Sequence, residues 1–185
     1  MCLDIKSGLI NEISAKGGID MVGKLFKAVH MEGNMYAFFT NQFDHFFIYN
    51  ILELEFARIN IMLFQPLPRE NYVCHRMSDG RIIFFGGGNK DKCFNDAFYL
   101  MEYSFDEKVQ FGWNSIDTFG SKEEGYYGHA SAILENDNIL IHGGTKRQYD
   151  NIEFKNNQFD PLYNKRFKII DITNSYKYAK LPMSK

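Results

Sequence analysis

The sequence predicts an all-β fold, an arc of about three four-stranded antiparallel sheets arranged like the blades of a β-propeller. Three observations predict it. Short apolar runs of strand length recur along the whole chain, tight-turn residues stand between them, and one strand-plus-glycine pattern returns after 57 residues, from Gly86 to Gly143. With 185 residues, 45% hydrophobic and 16% aromatic, the chain has the apolar surface to build a core. No segment of helical length shows a clear 3.6-residue period.

The elements follow in chain order. Residues 1–22 match no unit, or only the outer strand of an incomplete blade. Within 9–26 a weak helical pattern is opposed by Gly17-Gly18 and Gly23, each costing a helix about 1 kcal/mol, so strand or loop is expected. The first unit, 23–64, reads as strands at 24–30, 35–40, 44–51 and 55–62, with Gly33-Asn34 at the first reversal. Leu52, Leu54 and Phe56 alternate with Glu53 and Glu55, and Ile59 and Ile61 with Arg58 and Asn60, which carries the last strand signal back to residue 52. The second unit, 65–119, places strands at 72–77, 81–85, 97–103 and 108–116, with Ser78-Asp79-Gly80 as a turn. The third, 120–185, places them at 129–134, 138–142, 166–172 and 176–181, with Asn136-Asp137-Asn138 as a turn and a long loop before its third strand.

Superposing Arg81-Ile82-Ile83-Phe84-Phe85-Gly86-Gly87 on Asn138-Ile139-Leu140-Ile141-His142-Gly143-Gly144 aligns an apolar strand and its closing glycines. Glycine suits a chain that leaves a sheet sharply, because it accepts positive φ and close backbone approach. Four strands repeating at roughly 50 residues is the period of a propeller blade. At this point the chain resembles the kelch-repeat family. Gly86, Gly87, Asn95-Asp96, Tyr99 and Trp113 carry the resemblance in the second unit, and Gly128, His129, Gly143 and Gly144 repeat it in the third. The first unit is a degenerate copy, with Phe39-Thr40 where the glycine pair belongs. Kelch relatives often act as scaffolds or as substrate receptors for ubiquitin ligases. The resemblance therefore implies a non-catalytic protein-interaction module, with a galactose-oxidase-like or sugar-epimerase-like enzyme as the alternative on the same fold. Closed propellers have four to eight blades. Unless the chain is an unstable fragment, missing blades of a longer protein or a homodimer completing six must therefore cover the ends of a three-blade arc.

Other function classes are disfavoured. A formal charge of −2 and a pI near 6.2 lack the basic excess of a general nucleic-acid binder. The most apolar stretch, 46–64, contains Asn50, Glu53, Glu55, Arg58 and Asn60, which a bilayer centre would reject. No secretory leader pattern opens the sequence, and Cys2, Cys74 and Cys93 form no Cys-x-x-Cys pair, so a cytoplasmic protein with reduced thiols is expected. His30, His75, His129 and His142 are metal-capable types, but His75, His129 and His142 fall opposite Ala132, Tyr72 and Phe85 in the repeat, so no metal and no cofactor is expected. Gly86-Gly87-Gly88-Asn89-Lys90 lacks the Gly-Lys-Ser/Thr order of a phosphate cradle. Cys74 and Cys93 have no inferable base, so no catalytic residue is assigned.

Antiparallel order does predict one surface. The loops between second and third strands, and those leading to each following unit, emerge on the same side of the sheets. That side collects Arg69, Glu70, Lys90, Asp91, Lys92, Lys122, Glu123, Glu124, Lys146 and Arg147 beside Tyr126 and Tyr149. Mixed charge with aromatic anchors suits a protein or peptide partner.

Overall fold

The computed structural model describes residues 2–3, 10–11, 15–17, 27–62, 64–105, 108–116, 127–135, 137–145 and 167–170. Among them every regular element is a strand. A short antiparallel pair joins β1 (Cys2–Leu3) and β2 (Ile10–Asn11). Three larger sheets follow, each with its strands side by side in chain order and antiparallel. The first holds β3 (Lys27–His30), β4 (Met35–Phe39), β5 (His45–Asn50) and β6 (Glu55–Asn60). The second holds β7 (Val73–Arg76), β8 (Ile82–Phe85), β9 (Ala97–Phe105) and β10 (Lys108–Ile116). The third holds β11 (Tyr127–Ile133), β12 (Ile139–Thr145) and β13 (Phe167–Ile170). The fourth strand expected at 176–181 lies outside the described residues.

Local chemistry sets the reversals. Gly33 and Gly80 turn with φ of 58° and 88°, and Asp79 ties its turn down by accepting the Arg81 backbone N–H at 3.1 Å. One expectation is corrected here. The alternating run at 52–54 is a turn, and β6 begins only at Glu55. Asn50 decides it, because its Oδ1 accepts the backbone N–H groups of Leu52 at 3.0 Å and Glu53 at 3.3 Å. This side-chain-to-backbone closure competes with strand pairing and leaves Leu52 74% exposed.

Strand pleating sends alternate residues to opposite faces, and the second sheet uses both. One face presents Tyr72, Ile82, Phe84, Phe98, Leu100 and Trp113 to Val29, Phe39, Phe43 and Phe46 on and beside the first sheet. The other presents Val73, Ile83, Phe85 and Ala97 to Ile139 and Ile141 of the third. Trp113 lies at the centre of the larger core, 4.9 Å from the Phe84 ring and 5.3 Å from Phe98, while its Nε1–H donates to the Phe43 carbonyl at 2.7 Å. A buried indole thus gains aromatic packing and satisfies its one polar group. The first strands are neighbours too, since β7 lies against both β3 and β11.

The sheets also share a register. Phe84 pairs with Phe98 as Phe38 pairs with Phe47, and Leu100 pairs with Trp113 as Tyr49 pairs with Phe56. Val73 stands across from Phe85 as Lys27 does from Phe39 and Ala130 from His142. Gly86, Gly87, Gly143 and Gly144 all have positive φ, between 67° and 84°. Only Gly86 and Gly87 follow their strand. The expected departure at Gly143-Gly144 is corrected, because β12 runs on to Thr145, with Gly143 paired to His129 and Thr145 to Tyr127. Gly87 combines its positive φ with a tight approach, for a Cβ there would lie 2.7 Å from the Glu70 carbonyl oxygen, whereas a Cβ on Gly143 would meet nothing within 4 Å. In the first sheet the register sets Thr40 and Asn41, not the expected Phe39-Thr40, at the places of Gly86 and Gly87. The Thr40 carbonyl accepts the Tyr72 hydroxyl at 2.7 Å.

Candidate interaction surface

Two loops of the predicted surface meet. The segment leading into β7 touches the loop between β8 and β9 through reciprocal backbone bonds, Glu70 N–H to the Gly88 carbonyl at 2.7 Å and Gly88 N–H to the Glu70 carbonyl at 2.9 Å. The second loop closes on itself, with Phe94 N–H donating to the Gly87 carbonyl at 2.8 Å. Asn89 Oδ1 accepts the N–H groups of Asp91 and Lys92 at 3.0 and 3.1 Å. The first loop is anchored to the preceding sheet by Arg69 N–H on the Asn41 carbonyl at 3.0 Å, and by Asn41 Nδ2 on Glu70 Oε1 at 3.4 Å. These bonds bring 65–71 and 88–94 into one ordered surface.

Arg69 does not sit on that surface as expected. It is 2% exposed. Its guanidinium makes a two-point ion pair with Asp96, Nη2 lying 3.1 Å from Oδ2, and Nε donates to the Leu67 carbonyl at 3.1 Å. The Phe94 ring lies 3.7 Å from its Cζ. A planar fork matched to a carboxylate and laid over an aromatic ring is a favourable setting for a buried arginine. Arg69 therefore holds the loops together from within.

Lys90, Asp91 and Lys92 are exposed, and Lys92 Nζ lies 5.0 Å from the Phe94 ring. Glu70 is partly buried. Lys122, Glu123, Tyr126, Lys146, Arg147 and Tyr149 lie outside the described residues. Gly128 turns with φ 68°, its N–H on the Asn71 carbonyl at 3.4 Å, and the neighbouring His129 is buried with its ring 5.7 Å from Phe85. Sequence reasoning missed Met62, Phe64 and Leu67, which are 78%, 62% and 55% exposed in the first of these loops. A signal was present. Pro66 and Pro68 interrupt this apolar run, and proline cannot donate to a sheet ladder, so its apolar side chains had no strand in which to be buried.

The remaining chemistry-bearing residues have local partners. His30 Nε2 lies 2.9 Å from the Gly33 carbonyl and His45 Nδ1 lies 2.6 Å from Asp44 Oδ1. His75 Nε2 bonds the Ser131 hydroxyl at 2.7 Å, linking β7 to β11. Burial and then the Lys27 charge lower the His75 pKa. Burial raises the thiol pKa of Cys74 well above its ordinary value and raises that of Cys93, the opposite of an activated nucleophile. Among the described residues no three His, Cys, Asp or Glu side chains are grouped as metal ligands. Nor, among these residues, is any helix long and apolar enough to cross a membrane.

No protein-family model matches the sequence, and no curated protein matches it.

Proposed function

We propose that the chain is a non-catalytic kelch-type interaction module of the cytoplasm, an arc of β-propeller blades that binds a protein or peptide partner through Met62 and the segments 64–71 and 88–94. Three antiparallel sheets in one register, first strands side by side and a middle sheet packed on both faces support the blade reading. Cys74 carries a free thiol, consistent with a reducing compartment. One observation carries the binding reading. Met62, Phe64 and Leu67 are exposed on the segment leading to Glu70, whose backbone bonds to Gly88 join it to the loop that exposes Lys90, Asp91 and Lys92, and the Arg69–Asp96 pair ties the two together. Fixed apolar anchors within a charged rim are what a specific contact requires, since little ordering entropy is lost on binding.

The test is proximity labelling or crosslinking in cells, followed by affinity measurement with the partner it identifies. Leu67→Asp and Phe64→Asp are expected to weaken binding at least tenfold, mainly through faster dissociation. Lys90→Glu with Lys92→Glu is expected to slow association and to alter its salt dependence. Affinity unchanged in all of these variants would reject the surface.

A further inference from the structure

Residues 64–69, between the last strand of the first sheet and the first strand of the second, form neither strand, turn nor bend. Their burial repeats every three residues. Pro66 and Arg69 are buried, whereas Phe64, Gln65, Leu67 and Pro68 are exposed. A half-buried strand alternates with period 2 and an α-helix turns every 3.6 residues, but polyproline II turns every 3 and leaves its backbone unpaired and solvated. The sequence enforces that helix locally. Pro66 and Pro68 fix their own φ at about −65°, and each excludes the α region for the residue before it, Gln65 and Leu67. The whole stretch from Gln65 to Pro68 is thereby biased to one extended conformation.

One edge of this three-fold helix is anchored. Arg69 N–H donates to the Asn41 carbonyl at 3.0 Å, and the Arg69 guanidinium holds Asp96. Gln65 Nε2 donates to the Ile61 carbonyl at 3.4 Å and Asn89 Nδ2 to the Pro68 carbonyl at 3.5 Å, which fixes the segment near both ends. The other two edges face outward. Phe64 and Leu67, three residues apart, lie along one, and Gln65 and Pro68 along the other. An apolar row beside a proline ring, on a backbone already ordered, is what grooves lined with aromatic rings bind, because little entropy is lost on docking. The Asn89 contact also brings the loop of Lys90 and Lys92, exposed on either side of Asp91, to the Pro68 end. We infer that 64–69 is a preformed polyproline-II ligand, and that the partner is a domain with an aromatic-lined groove, acidic at the border that faces Lys90 and Lys92. This rests on the interaction surface proposed above and assigns the roles: the chain supplies the ridge, with Phe64, Leu67 and Pro68 entering, and the partner supplies the groove.

The test titrates the fluorescently labelled full chain with a panel of purified WW and SH3 domains, whose grooves have this character. Saturable binding to at least one domain is expected. Leu67→Asp is expected to weaken it at least tenfold and Pro68→Ala at least threefold, with both variants folded by far-ultraviolet circular dichroism because both positions are exposed. Lys90→Glu with Lys92→Glu is expected to weaken it at low salt and to lose that effect at high salt. An absence of saturable binding by every domain up to high micromolar concentration overturns the proposal, as does binding that Pro68→Ala leaves unchanged. The two readings fail separately. A cellular partner whose affinity falls with Leu67→Asp but not with Pro68→Ala removes the polyproline-II assignment and keeps the surface, whereas a partner indifferent to both changes and to Phe64→Asp removes the surface itself.

Discussion

Arg69→Met removes the charge that fastens the interaction loops while keeping much of the side chain's volume. Its guanidinium pairs with Asp96 at two points, donates to the Leu67 carbonyl at 3.1 Å and lies over Phe94 at 3.7 Å. Breaking a fully buried ion pair costs about 3–5 kcal/mol. Here the Asp96 side chain is 50% exposed and regains water when Arg69 is gone, which lowers the expected loss to about 2–3 kcal/mol. Urea unfolding followed by Trp113 fluorescence measures it. With a slope of about 2 kcal/mol per molar, the midpoint should fall by about 1–1.5 M with the slope unchanged. Asp96→Asn keeps an acceptor for the fork and should lose less. A stable Arg69→Met protein that fails to bind its partner would refute the reasoning, since Arg69 would then contact the partner directly. Binding that falls in each variant only as far as its unfolded fraction requires, with the smaller loss in Asp96→Asn, would uphold it.

Trp113→Phe should cost about 2–3 kcal/mol, part of it from leaving the buried Phe43 carbonyl without its donor, and a loss below 0.5 kcal/mol in urea unfolding followed by far-ultraviolet circular dichroism would show that the bond contributes little. Gly87→Ala and Gly143→Ala both place a side chain at positive φ, about 1 kcal/mol each, but only the first drives its Cβ to 2.7 Å from a carbonyl oxygen. Gly87→Ala should therefore be at least 1 kcal/mol worse by thermal or urea unfolding. The His75 pKa is lowered from 6.5 by burial and by Lys27, so the unfolded chain takes up its proton first as pH falls. Its contribution to stability is complete above pH 6.5 and is lost below it, and His75→Gln should flatten the stability–pH curve between pH 7 and 5.

The strand plan was legible because period-2 alternation and turn residues are local signals. β4, β8 and β10 lie where the apolar runs put them, and Gly86-Gly87 mark the departure from the second sheet, whereas Gly143-Gly144 lie within β12 and mark none. The run at 52–54 misled for an equally local reason, since alternation looks the same in a strand and in a turn closed by one asparagine amide oxygen. Arg69 was unreadable. Its partner Asp96 is 27 residues away and its ring, Phe94, belongs to another loop, so nothing near Arg69 in sequence announces that it is buried. The place of Phe56 was hidden as well, because the first unit has no tryptophan. Register alone puts Phe56 in the place of Trp113.

Stability and recognition separate along the same sheets. The second sheet has both faces buried, so a substitution at Phe84 loosens its contact with the first sheet and one at Ile83 its contact with the third, and either should destabilise the chain rather than alter binding alone. The end sheets each keep an outward face whose side chains are not fully buried, and substitutions there cost less folding energy. The loop surface depends on the middle sheet through Arg69 and Gly87, which means that its geometry is set by the most rigid part of the molecule. Affinity can then be tuned by residues such as Leu67 and Lys92 that contribute little to the fold. The first sheet, with Thr40 and Asn41 in the places of Gly86 and Gly87 and Phe56 in that of Trp113, differs most from the second where the fold depends on it least. The first unit needs only to complete the core around Trp113 with Phe39, Phe43 and Phe46.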